Sequence, residues 1–181
     1  LVIRMIIILT QCFPPRVGGI ENLIENLSLE LSKVSEVLVL ADQYDKYKDN
    51  LYDNNINNRI KIKRFSGIKF LRKRKKILEL KKNLELKKVI CIIGDSWKSF
   101  ELSVDILNYK SIPSICLAHG NEIIPKNIFH KKRLITTMNK VSQIVCNSNY
   151  TSELVKKTGI TNQYITCIHP GAKNNINIPE R

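Results

Sequence analysis

Glycine is scarce in this chain: seven residues in 181, beside two methionines and one tryptophan. No GxGxxG, GxxxxGK(S/T) or GxSxG string occurs. Dinucleotide dehydrogenases, P-loop NTPases and α/β-hydrolases therefore lack their diagnostic residues here. The five cysteines are scattered without a CxxC pair, so zinc and dithiol chemistry find no ligand set. No apolar run approaches the roughly 20 residues that cross a bilayer. The first run is interrupted by Arg4 and followed by no small-residue cleavage site, so it reads as a core strand rather than a signal peptide. Acidic residues are also few: 16 Asp and Glu stand against 30 Lys and Arg, a net charge of +14.

What the chain does have is alternation. Apolar, β-branched runs at 2–9, 36–41, 60–65, 89–93, 112–117, 143–147 and 164–168 read as strands. Helical patterns fill the gaps at 20–33, 69–87, 97–109, 128–140 and 149–158. Strand and helix in turn predict an α/β domain over 1–172, a Rossmann-like open parallel sheet with helices on both faces. The Asn- and Lys-rich stretch from Asp42 to Asn58 shows little periodicity and reads as a long loop or irregular helix. Residues 173–181 read as linker. Cys91, Cys116, Cys146 and Cys167 lie inside apolar runs, where a reduced thiol behaves as a small hydrophobe.

Six of the seven glycines fall just beyond predicted strands: Gly18, Gly19, Gly67, Gly94, Gly120 and Gly171. Gly67 reads as a turn, and Gly159 as a helix C-cap. In open α/β sheets ligands sit outside the carboxyl ends of the strands, so the others mark one functional edge. Its first loop, Cys12-Phe13-Pro14-Pro15-Arg16-Val17-Gly18-Gly19, joins a buried strand to a strong amphipathic helix. Backbone N–H groups at such a junction can face an anion, and glycine allows close approach. His119 stands on the same edge, beside Gly120. Glu122 could accept bonds from a sugar hydroxyl or orient His119. Neither has a third ligand at metal spacing, so no metal site is expected. Asn147 and Ser148 lie at another strand-to-helix junction, where capping and ligand contact are compatible. His130 reads as surface, and His169 stays ambiguous.

The positive charge is concentrated. Ten of the twenty residues from Lys69 to Lys88 are basic, against Glu79 and Glu85. A solvated helix packed on the sheet accounts for this, and so does a surface for anionic lipid head groups. Nucleic acid would be drawn by the same field, but no recognisable nucleic-acid motif accompanies the run.

Phe13-Pro14-Pro15 with Gly18-Gly19-Ile20-Glu21, then His119-Gly120-Asn121-Glu122, Asn147-Ser148-Asn149-Tyr150-Thr151 and Pro170-Gly171 together resemble family 4 of the retaining glycosyltransferases. Order and spacing resemble the N-terminal half of that family's two-domain GT-B fold. The resemblance implies transfer of a sugar from a nucleotide sugar to an acceptor with retention, without a metal at the reaction centre or another cofactor. It implies that His119 lies near the transferred sugar and that Gly18, Gly19, Gly120, Glu122, Asn147 and Ser148 border the substrates. It also implies a second, donor-binding domain beyond these residues, without which they should be inactive. For lipid-linked acceptors it implies a cytoplasmic protein, peripheral on the inner membrane through Arg72, Lys73, Arg74, Lys75, Lys76, Lys81 and Lys82. Two alternatives remain open at this point: a non-catalytic adaptor for anionic membrane or nucleic acid, and a nucleotide-sugar epimerase.

Overall fold

The computed structural model describes residues 4–86 and 88–171. The proposed linker at 173–181 and the first residues of the run at 2–9 lie outside them. Seven strands form one parallel sheet in the order β3-β2-β1-β4-β5-β6-β7. They are β1 Arg4–Leu9, β2 Glu36–Asp42, β3 Ile60–Phe65, β4 Lys88–Gly94, β5 Ser114–Ala118, β6 Gln143–Cys146 and β7 Ile165–Cys167. The central β1 is buried on both faces from Met5 onward, which is why it reads as an unbroken apolar run. Ile6 and Ile8 join one core layer, Met5, Ile7 and Leu9 the other. The edge strand β3 instead alternates Ile60 and Ile62 with Lys61 and Lys63, charges that discourage pairing with a further strand.

Helices α1 (Gly19–Ser32) and α2 (Lys46–Asn55) cover one face through Ile24, Leu27 and Tyr52. The opposite face carries α3 (Lys69–Leu86), α4 (Trp97–Phe100), α5 (Val104–Tyr109), α6 (Ile128–Lys140) and α7 (Asn149–Lys157). The chain winds outward from β1 to β3, then returns through α3 to β4 on the other side of β1. The carboxyl ends of β1 and β4 thus flank the switch point where such sheets bind ligands.

Two expectations change. The polar stretch 42–58 contains a regular helix, α2, started by Asp45, whose carboxylate accepts from the Tyr47 and Lys48 N–H groups. It is held by charge rather than by an apolar stripe. The single helix expected at 97–109 is two short ones, because Ser103 closes a turn by donating its N–H to the Phe100 carbonyl.

Gly94 shows why a glycine ends β4. A Cβ there would lie 2.4 Å from the buried Phe100 ring. Packing explains this glycine without a ligand. Gly94→Ala should cost about 1–3 kcal/mol by overpacking, read as a lower urea midpoint. Gly67 and Gly159 have φ of +100° and +96°, as a turn and a helix C-terminus require.

Helix α3 divides its cations. Arg74, Lys75, Lys81 and Lys82 are exposed, with Phe70, Leu71 and Leu78 exposed among them. Lys76 is buried, and its ammonium meets Asp42 Oδ1 at 2.5 Å and the Thr10 carbonyl at 2.5 Å. Arg72 pairs with Asp42 at 3.1 Å and Lys73 with Glu101 at 2.8 Å. Of the seven cations expected to meet the membrane, Lys76 is instead turned toward the sheet by the helix. Among the described residues, no helix is long and apolar enough to cross a membrane.

Candidate active site at the carboxyl edge of the sheet

The edge is organised around Asp95, the residue after β4, which is buried. Its carboxylate accepts from the Thr10 hydroxyl and the Gln11 N–H, both at 2.8 Å, and from the Ser99 hydroxyl at 2.5 Å. The loop after β1 is thereby pinned to the end of β4. The Asp95 carbonyl in turn accepts from His119 Nε2 at 2.9 Å. A carbonyl can only accept, so Nε2 carries the proton. In the neutral ring Nδ1 is then the free lone pair, and in the cation a second donor. Asp95 thus fixes both the position and the tautomer of His119.

Glu122 completes the mount. Its carboxylate accepts from the His119 main-chain N–H at 2.6 Å, and its own carbonyl accepts from Trp97 Nε1 at 3.0 Å. Glu122 therefore orients His119 through the backbone. Gly120, with φ +108°, makes the tight turn between them and leaves a Cβ position 3.5 Å from Thr151 Oγ1. At the next junction the Ser148 hydroxyl caps α7, accepting from the Thr151 N–H at 3.1 Å. Asn147 Oδ1 accepts from the Thr151 hydroxyl at 2.8 Å.

His119 and Asn147 share the wall of a trough with about 950 Å3 of empty space, together with His169, Pro170 and Gly171. Its floor is Ile115, Leu117 and Val145, and α1 supplies the facing Leu23, Leu27 and Leu31. Gly18, Gly19, Gly120, Glu122 and Ser148 lie outside that wall. Gly18 precedes α1 in an extended conformation and offers no side-chain cap, and the first-turn acid Glu21 folds back against it. A Cβ on Gly18 would meet the buried Glu21 carboxylate at 2.2 Å, and Arg16 holds Glu21 at 2.9 Å. Around Gly19 there is nothing within 4 Å.

Motif spacing gives no sign of Asp95 or Arg64. Asp95 could have been found as the acid directly after a strand-ending glycine. Arg64 clamps the proline loop from β3, donating to the Pro14 carbonyl and to Asp53. Burial pushes the thiol of Cys12, in that loop, up to about 11, which keeps it in the protonated form at neutral pH. His130 is half-buried, edge-on to Trp97 with ring centres 5.1 Å apart, rather than a free surface residue. Burial and the neighbouring Lys98 and Arg133 hold its pKa below the usual histidine value.

Residues 17–173 match the family model described as Glycosyltransferase Family 4. The chain belongs to Glycosyltransferase Family 4. Its fold is that of the N-terminal domain of GT-B enzymes. Anabaena Alr3699/HepE, solved with UDP-glucose, superposes with a TM-score of 0.69 at 12% identity, over 93% of this chain and 44% of that one. The lipopolysaccharide outer core galactosyltransferase WaaB gives 0.61 at 18%, over 92% and 45%. The UDP-GlcNAc 2-epimerase from Methanocaldococcus jannaschii gives 0.60 at 14%, over 92% and 45%. This chain thus spans less than half the length of each of these structures, and identities this low speak to fold alone. No curated protein sequence matches this one.

Proposed function

We propose that this domain is the acceptor side of a retaining glycosyltransferase, moving a sugar from a nucleotide-sugar donor to a glycan or lipid-linked acceptor. The observation that carries the reading is the fixed His119, tautomer set by the Asp95 carbonyl, on the carboxyl edge of a family 4 domain. Its outward Nδ1 would bond the transferred sugar. It would stabilise an oxocarbenium-like transition state by position and dipole, not by covalent attack. A separate donor-binding domain would close over Gly18, Gly19 and the start of α1. The UDP-glucose in Anabaena HepE supports a UDP-sugar donor. Neither metal nor resident cofactor enters the reading. Cell-surface polysaccharide or glycolipid synthesis is the setting it fits, on the cytoplasmic face of the membrane.

The exposed part of α3 supports peripheral docking: Phe70, Leu71 and Leu78 would enter the interface while Arg74, Lys75, Lys81 and Lys82 meet anionic head groups. Flotation with anionic vesicles should fall at least tenfold in the quadruple charge reversal, since each cation contributes about 1 kcal/mol. Unchanged flotation would remove the membrane from the account.

The epimerase-like superposition favours one rival, a nucleotide-sugar epimerase. The full-length protein, given a donor panel, separates the two. The transferase reading expects nucleotide release that requires acceptor, and a product whose anomeric configuration by NMR equals the donor's. Donor interconversion without acceptor would establish the epimerase, and an inverted product would remove retention.

A further inference from the structure

A second cleft opens at the switch point, on the face opposite the trough. It is a shallow cleft between α3 and α4, outside the ends of β1 and β2. Lys69, Lys73, Lys76 and Lys98 line it, with Thr10, Gln11, Ser99 and one carboxylate, Asp42, over the apolar Leu9, Ile77 and Leu102. The carboxylates nearby are oversubscribed. Asp42 is shared by Arg72 and Lys76, and Glu101, which meets Lys73, also pairs with Arg133. Among the described residues, Lys69 and Lys98 have no carboxylate partner. The Asp95 carboxylate behind the cleft accepts from the Thr10, Gln11, Ser96 and Ser99 donors.

Topology makes this a place for a ligand, and the excess of ammonium groups selects an anion. We infer that the cleft binds a phosphate or diphosphate group carried by the acceptor, with Lys69, Lys73 and Lys98 as its donors. The inference rests on the transferase reading for the word acceptor, and on charge and geometry alone for the anion. Lys76, held by Asp42 and the Thr10 carbonyl, keeps one N–H to spare and sets the floor of the cleft. A phosphate placed there sits beside the loop after β1, at Thr10 and Gln11. The acceptor that fits is a phosphorylated or diphosphate-linked saccharide, either soluble or carried on a lipid.

Calorimetric titration of inorganic pyrophosphate into the full-length protein tests the anion site. Saturable binding is expected, weakened at least about tenfold in K69E/K98E. K46E/K48E reverses two exposed charges on α2, on the other face of the sheet, and should leave it unchanged. No binding, or equal loss in both double variants, overturns the site. Kinetics with three acceptors identify the source: a soluble sugar phosphate, a lipid-linked diphosphate and the neutral sugar. The acceptor KM of whichever phosphorylated form is native should rise at least about tenfold in K69E/K98E, with the donor KM and neutral-acceptor rate unmoved. A rise in donor KM instead overturns the assignment to the acceptor. Lysine-dependent pyrophosphate binding in a protein that transfers nothing would sink the transferase reading and leave the anion site standing.

Discussion

If the domain serves a glycosyltransferase as proposed, replacing His119 with alanine in the full-length protein should lower kcat for sugar transfer by about a hundredfold or more, with the donor KM little changed. The side chain's Nε2–H bond to the Asp95 carbonyl leaves Nδ1 to whatever lies at the sheet edge. A contact made mostly in the transition state acts on kcat rather than on ground-state binding. Stability should fall by only about 1 kcal/mol, the ordinary worth of one hydrogen bond. Initial rates and a urea melt on the same two proteins separate the effects. A fully active alanine variant would reduce His119 to a strap between β4 and β5.

Arg64→Met carries the largest expected stability loss, about 3–5 kcal/mol. The Arg64 side chain is 6% exposed and meets Asp53 through Nε at 2.9 Å and Nη2 at 2.7 Å. Its Nη1 lies 3.2 Å from Asp49, which is fully buried and accepts from the Tyr44 N–H at 2.9 Å. Removing the guanidinium strands the Asp49 charge in the interior. It also frees the Pro14 carbonyl and the Phe13 ring, 5.8 Å from the guanidinium carbon. Adding Asp49→Asn should restore more than about 1 kcal/mol, because the stranded charge is then gone. Denaturant melts of the single and double variants give the numbers. A loss below about 1 kcal/mol for Arg64→Met would show that the network merely decorates the loop.

That network also explains which parts of the fold were legible. Strands β1, β2 and β4 are buried on both faces, so their apolar runs announce them. Helix α2 has no such stripe. Its evidence lies in Asp45, Asp49 and Asp53, whose partners come from the Tyr44–Lys48 backbone and from Arg64 on β3. Periodicity cannot register a helix held by charges from another element. The same limit applied to α3, where eight basic residues look alike in sequence. Only the helix's rotation, with Leu80 inward, buries Lys76 and leaves Lys81 and Lys82 outside.

At the site, motif residues were easier to place than their supports. His119 and Asn147 do meet on one wall, whereas Ser148 is engaged as an N-cap and Glu122 bonds the His119 main chain. Asp95 acts from inside the protein, through four donors to its carboxylate and through its own carbonyl, and belongs to no short motif. Gly94 looked like part of a ligand loop, but it makes room for Phe100. A strand-end glycine can serve the core as readily as the edge.

The most direct test is nucleotide release by the full-length gene product, measured across a panel of nucleotide sugars with and without a lipid-linked acceptor. The account predicts release from one donor class, dependent on acceptor and lost with His119→Ala. Release from no donor by a folded protein, or release indifferent to both acceptor and His119, would contradict it.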